Sequence, residues 1–515
     1  MKTINSICII GGGTAGWMTA ATLVKAYPES SIVVYEDINT PSVGVGESTT
    51  QFFRTWINFL GIKDEEWMKD CDATYKSSVM FHDFHELGDT PWQYPFGRPR
   101  QDSYRLDHWF YKQYKEGING SRLAEDYCVS AQCAVRNKLA VGDYASKHPL
   151  HYELDVSAGF HFNASKFANW LRDNYCKPRG VKHVKRTLKR KPKADIIFDC
   201  TGFKSLFNDS EWIDYDYLPN NSAWVTRVHY DDKNEQIKPV TDCTALSSGW
   251  VWNVPTWDTI GTGYVYCDKF LTKKQAIKEF RDYLTENVQS DCGCYTDKLF
   301  RLIKFKTGRR EEIWKGNVVS IGLSAGFIEP LESNGLLSVH NFAVFLADAL
   351  SMHEGKVNTL MRAQFNRRCR KHMSQFAHFV GNHFMMTTKD NSEYWRYISE
   401  NINYMDDQAE DERGTHGGYP LDDFPLKMDE IAQFQFQQLA GNAFICAGHM
   451  HTPATPWTCD YMEKRGNIDM SSFKVLNSGY QLDPNIHAEI DQFPTPEEFY
   501  YEDVAGIDFH HSLHG

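Results

Sequence analysis

An α/β fold is what this sequence predicts: a parallel-stranded core of the Rossmann type, interrupted by two long insertions and followed by a mainly helical C-terminal part. Three observations carry that expectation. Residues 4–10 (INSICII) form an apolar run of strand character that passes directly into the glycine-rich GGGTAG, residues 11–16. Two further strand-like runs, ADIIFDC ending at 200 and NVVSIG around 318–321, return far downstream, as strands do when a core is interrupted by insertions. The stretch 358–380 (NTLMRAQFNRRCRKHMSQFAHFV) is amphipathic at helical spacing. The expected layout is a core over 1–355 with insertions at about 75–150 and 205–300, then a helical cap and tail over 356–515.

The elements justify themselves in order. Gly11, Gly13 and Gly16 occupy the three glycine positions of GxGxxG, and Trp17 to Ala26 reads as the helix that follows. The second strand, SIVVYE, ends in Glu36, twenty residues beyond Gly16. Gly11 permits the tight turn, Gly13 lets the backbone approach a pyrophosphate, and Gly16 lets helix and strand pack closely. The amides of Thr14 and Ala15 open the helix, and Glu36 can accept from ribose hydroxyls. An acid there favours an unphosphorylated ribose, so FAD or NAD. Evenly spaced strand–helix units, usual for an NAD dehydrogenase, do not follow. VGVGES (43–48) and a long aromatic-rich stretch come instead, which favours FAD.

Composition narrows the rest. Hydrophobic residues make up 42% and charged residues 24%, which excludes wholesale disorder. With 55 Lys+Arg against 67 Asp+Glu, the balance of −12 argues against nucleic-acid capture. The basic run 182–193 reads as a solvated strand and turn. Thirteen scattered cysteines with no secretory signal fit reduced thiols in a cytoplasmic protein. No metal site is expected: Cys292 and Cys294 have no second pair, and His449, His451 and the histidines of the tail read as polar segments. No apolar run reaches a membrane span, and oligomeric state is left open. Aromatic residues reach 14%, enough to serve a packed core or a cavity for planar ligands.

Several segments together resemble the flavin-dependent halogenases of the tryptophan-halogenase type. They are GGGTAGW (11–17), GxGE at Gly44–Glu47, DCTGF (199–203), GWVWNVP (249–255), FKTGR (305–309), GLSAGFIEPLESNG (322–335) and HFMMTTKDNSEYW (383–395). They run colinearly from about residue 4 to about residue 400. The resemblance implies an enzyme that uses FADH2, O2 and a halide. A flavin C4a-hydroperoxide oxidises the halide to hypohalous acid, which travels through a tunnel to a lysine beside an electron-rich arene. It also implies that a separate NAD(P)H-dependent flavin reductase supplies FADH2, since no second nucleotide fingerprint is present.

The resemblance assigns positions residue by residue. Lys76 in DATYKSSVMF is the halogen-delivering lysine, and Glu332 of PLESNG the carboxylate that polarises the arene. Gly46, Glu47 and Ser48 join the flavin contacts, and Ser333 links the flavin side with the lysine. The amides of Asn334 and Gly335 hold the halide. Trp250 and Trp252 wall the passage. The family usually has threonine where Asn334 stands, so bromide or iodide over chloride is an expectation here. Trp92, Tyr94 and Phe96 of WQYPFG are expected to stack on the arene. Tyr94 replaces the histidine of the tryptophan-specific members, and no segment after 400 is recognisable as the grip on a free amino acid. A free-standing indole, phenol or similar arene is therefore expected. The alternatives are a class A flavin hydroxylase, weakened by the lack of a GD motif in IGLSAGF (321–327), and a non-catalytic flavoprotein.

Overall fold

The computed structural model describes residues 2–40, 47–97, 117–140, 154–289, 299–353, 355–401, 441–450, 488 and 490–504. The expected insertion 75–150, Gly46, Cys292, Cys294, His451, the loop 405–420 and the histidines of the tail lie partly or wholly outside them.

The core is a six-stranded sheet. Its order is Trp314–Lys315, Val318–Ser320, Ile196–Asp199, Ser6–Ile10, Ser31–Glu36, Lys182–Lys185. Every pairing is parallel except the first, which closes the edge antiparallel. Ile9 pairs with Phe198 on one side and Val34 on the other, all three buried, as a strand covered on both faces requires. The helix Thr14–Ala26 follows the first strand, and the helix Leu337–Met352 lies against it. The Tyr27 hydroxyl donates to the Ala347 carbonyl at 2.7 Å across their ends. The Lys182–Lys185 strand leaves both terminal lysines exposed, the solvated strand expected of the basic run.

A second, larger sheet has seven strands. Ser78–His82 and Trp92–Pro95 precede the core strand Ile196–Asp199 in the chain; Ser222–Val228, Val240–Leu246, Gly249–Pro255, Ile260–Tyr266 and Arg301–Lys304 follow it. Ser78–His82 joins by a parallel pairing with Val240–Leu246. The helix Lys273–Asn287, opened by a Thr272–Gln275 capping box, covers the outer face with Phe280 and Leu284.

A three-stranded antiparallel sheet, Glu47–Ser48, Gly159–Phe162 and Thr74–Lys76, sits between these layers. Ser48 and Thr74 both stand opposite His161, and Lys76 stands opposite Gly159. Opposed residues share a face, so Ser48, His161, Thr74 and Lys76 all project to the same side. The amphipathic stretch is the helix Thr359–Met385, opened by an Asn358 side chain that accepts from the Met361 amide. The last described element, Pro496–Val504, closes on the back of this small sheet: the Tyr75 amide donates to the Tyr500 hydroxyl at 2.5 Å.

Candidate active site

Lys76 is fully buried, with 0% exposure. Its Nζ donates to Ser333 Oγ at 2.6 Å and Ser48 Oγ at 2.9 Å, and the Ser333 hydroxyl in turn donates to Ser48 Oγ at 3.0 Å. The Phe96 ring lies with its centroid 5.0 Å from Nζ. That approach needs Gly159 opposite Lys76, because a Cβ there would stand 2.6 Å from the Phe96 ring and 2.8 Å from the Thr49 carbonyl. Burial pulls the lysine down to about 7, against the opposing pull of Glu332. The amine and ammonium forms are thus both accessible near neutrality.

Glu332 is also sealed, at 2% exposure. His383, near the C-terminal end of the Thr359–Met385 helix, meets Oε1 through Nε2 at 2.7 Å. His383 Nδ1 has no hydrogen-bond partner and Glu332 Oε2 has none, so the ring meets the carboxylate through Nε2, whose N–H can donate to Oε1. Glu332 borders a recess of about 250 Å³ lined also by Gln51, Tyr94, Phe96, Phe376 and Phe379. The helix after this segment starts at Leu337 without a side-chain cap, so Glu332 is no helix cap.

The PLESNG segment divides two spaces. Beyond it lies a second recess of about 350 Å³, bordered by Gly322, Gly326, Asn334, Gly335, His372 and Phe376. Phe376 borders both recesses. Ser333 is held at φ 58°, a left-handed conformation costly for a residue with a Cβ, and sits at the turn between the two sides. The Asn334 Oδ1 is buried without a partner. Glu47 comes close behind Gly335, where an added Cβ would stand 2.5 Å from its Oε1, and burial raises that carboxyl to about 7.

The nucleotide fingerprint has the shape that a dinucleotide needs. Gly11 adopts φ +115° with a would-be Cβ 2.4 Å from the Cys200 carbonyl, and Gly16 would clash with the Gly11 carbonyl at 1.9 Å. Gly13 faces open space, and the helix it opens has no side-chain cap, so its first amides remain available to phosphate. Glu36 ends its strand as expected, with Oε2 paired to His183 Nε2 at 2.6 Å. These residues fit FAD.

Other expected positions fall differently. Ser48, grouped above with the flavin contacts, accepts a hydrogen bond from Lys76 Nζ. Trp92–Pro95 is a buried strand with Phe96 just beyond its end, and Tyr94 and Phe96 line the 250 Å³ recess. Trp92 does not line it: the ring stacks on Phe81 at 4.3 Å and on His383 at 5.6 Å, backing the Glu332 partner. Trp250 and Trp252 share a face with centroids 5.9 Å apart, and Trp250 Nε1 donates to buried Glu329 at 2.7 Å. Neither borders either recess. His383, His161, Thr241 and Glu329 were not singled out from the sequence. His383 opens the HFMMTTKDNSEYW segment, which was its one available signal.

Comparison with known proteins bears on all of this. The tryptophan halogenase family profile matches residues 6–413, most of the chain. The chain belongs to the tryptophan halogenase family. It is therefore a flavin-dependent halogenase, one of a family of enzymes that halogenate aromatic substrates with FAD and a halide. The tryptophan 6-halogenase SttH of Streptomyces toxytricini is 31% identical over 446 residues, 77% of this halogenase and 81% of that protein. The crystal structure of SttH superposes at a TM-score of 0.77 with 26% identity, covering 96% of this chain and 99% of that one. The apo structure of VirX1 gives a TM-score of 0.83 at 29% identity, over 98% and 100% of the two chains. Among the described residues of this halogenase, no helix is long and apolar enough to cross a membrane and no group of three metal-ligating side chains is assembled. The nine cysteines whose side chains are described are free thiols.

Proposed function

We propose that this halogenase passes hypohalous acid to Lys76, which delivers the halogen to a small, free-standing, electron-rich arene held beside Glu332. Bound reduced flavin, with O2, would supply the oxidant that turns halide into hypohalous acid. The observation that carries the reading is the sealed pair: a lysine with two serine partners, and next to it a carboxylate with one oxygen aimed at no protein group. A lysine near 7 can present a neutral nitrogen to the halogen or an ammonium that polarises hypohalous acid. Glu332 Oε2 can stabilise the cationic arene intermediate and accept its departing proton. The aromatic recess supplies the stacking surface, and among the described residues that line it none is a cation that could pair with an amino acid's carboxylate.

Gly11, Gly13, Gly16 and Glu36 would hold the dinucleotide, with the amides of Thr14 and Ala15. Asn334 and Gly335 would hold the halide, and the asparagine underlies a preference for bromide or iodide. A separate NAD(P)H-dependent reductase would supply the reduced flavin, and the free thiols support a cytoplasmic setting. Residues 1–355 would form the flavin core and 356–515 the cap. The test is aerobic turnover with a flavin reductase, NADH, FAD and a panel of indoles and phenols against chloride, bromide and iodide. Halogenated product from free-standing arenes is the expected outcome. Hydroxylated product alone would return the class A hydroxylase.

A further inference from the structure

Lys76 is the start of a chain of buried polar side chains that the delivery role leaves unused. Ser48 Oγ lies 2.8 Å from Thr241 Oγ1, and Thr241 Oγ1 lies 2.8 Å from His161 Nε2. On the far side of the ring, His161 Nδ1 is 3.4 Å from Thr74 Oγ1, whose hydroxyl donates to the Pro255 carbonyl at 2.7 Å. All five side chains are buried.

Donor bookkeeping fixes the direction of every bond. A carbonyl can only accept, so the Thr74 proton is committed to Pro255 and Thr74 Oγ1 is an acceptor towards His161. That puts the imidazole proton on Nδ1 and leaves the lone pair of Nε2 facing Thr241. At the other end, Ser48 Oγ already accepts from Lys76 and from Ser333, so its own proton points to Thr241. Thr241 accepts from Ser48 and donates to His161. Each bond therefore runs the same way, from an ammonium towards a basic nitrogen. Burial and the Lys76 charge keep His161 neutral at rest.

The geometry points to His161 as the proton partner of Lys76, reached through Ser48 and Thr241. The inference rests on the reading of Lys76 as the residue that takes up the halogen. An Nζ–H bond breaks as the proton passes to Ser48, the Ser48 proton passes to Thr241, and the Thr241 proton forms an Nε2–H bond on His161. Lys76 becomes a neutral amine and His161 an imidazolium, with no oxidant or reductant consumed. The proton returns by the same hydroxyls after delivery. The other titratable groups acting on Lys76 are Glu332, from the PLESNG segment, and the Cys243 thiol of the Val240–Leu246 strand. Lys76 is the charge acting on His161. His161 is thus a positioning residue that acts through Lys76 and sets its charge inside a sealed site.

Two measurements test this. The first uses the flavin-free chain labelled with 15N-histidine: His161 should carry its proton on Nδ1 with Nε2 bare, and the opposite tautomer overturns the relay. The second compares Thr241→Val, Thr241→Ser and His161→Gln in single-turnover halogenation at pH 6.5 and pH 9, with FAD and reductase supplied. Thr241→Val and His161→Gln should slow the reaction roughly tenfold or more at the lower pH, the scale of a lost proton-transfer group. The loss should shrink at pH 9, where Lys76 is already neutral, and Thr241→Ser should restore the rate. Equal losses at both pH values, or none, overturn the relay. Lys76→Ala separates the two readings: retained product removes the delivery role and the relay together, while an inactive Lys76→Ala beside a pH-independent Thr241→Val removes the relay alone.

Discussion

The Lys76 ammonium and the Ser333 hydroxyl stand 2.6 Å apart, although 257 positions of sequence separate them. The bond ties the strand carrying the lysine to the turn that divides the two recesses. It places the proposed point of delivery at the boundary between the two recesses.

A buried lysine held near 7 is a stability cost with a definite pH signature. Between about 7 and its ordinary value of 10.5, the unfolded chain binds more protons at this group than the folded one. The linkage slope is then positive, so the cost is full below 7 and fades as pH rises towards 10.5. Lys76→Met should accordingly raise the unfolding midpoint at pH 7 by several degrees, through relief of a few kcal/mol, and the gain should narrow by pH 9.5. Paired thermal melts at the two pH values check this; a constant difference contradicts it.

Gly13 and Gly16 should separate folding from cofactor binding. A Cβ at Gly16 meets the Gly11 carbonyl at 1.9 Å, and neither backbone can yield. Gly16→Ala should lose FAD and unfold early, by about 3 kcal/mol or more. At Gly13 nothing lies within 4 Å, so Gly13→Ala should fold normally yet bind FAD at least tenfold more weakly. Fluorescence titration of FAD beside a denaturant melt distinguishes the two.

His383 holds one oxygen of Glu332 and leaves the other directed at no protein group. His383→Phe removes the donor and strands a buried carboxylate. It should cut kcat by roughly tenfold to a hundredfold with KM for the arene much less affected. His383→Gln can still donate from its side-chain amide and should recover part of the rate. A change confined to KM would mean that the histidine shapes the recess rather than the carboxylate.

Asn334→Thr should shift halide choice towards chloride, because the backbone amides stay and only the side chain beside them changes. Equal-halide competition, scored by the ratio of chlorinated to brominated product, reads it. An unchanged ratio would show that the asparagine does not set the preference.

How much of this was legible in the sequence depends on whether neighbours in space are also neighbours in a motif. The glycines, the first helix and Glu36 form one continuous strand–helix–strand unit, so local spacing foretold their geometry. Tyr94, on the Trp92–Pro95 strand, and Phe96, just beyond its end, share the recess, whereas Trp92, at the start of the strand, is drawn into the stack with Phe81 and His383. Pattern could place the three on one side but could not say where the recess ends. Ser48 illustrates the opposite limit. Its place beside GVGE suggested the nucleotide, and antiparallel pairing with His161 sets it on the face that carries the lysine as well, which the local sequence does not show. His161 and Thr241 carry no local mark, since they and their partners Ser48 and Thr74 come from four separate strands and meet only when the small sheet docks on the larger one.

The most direct test of the central claim is product analysis of Lys76→Ala, charged with FAD, reductase, NADH, bromide and an indole, together with an added hypohalous-acid trap. The account predicts flavin binding like that of the unaltered protein, halogenated trap, and no enzyme-directed halogenation of the indole. Halogenation of the indole at the unaltered rate and position would contradict it.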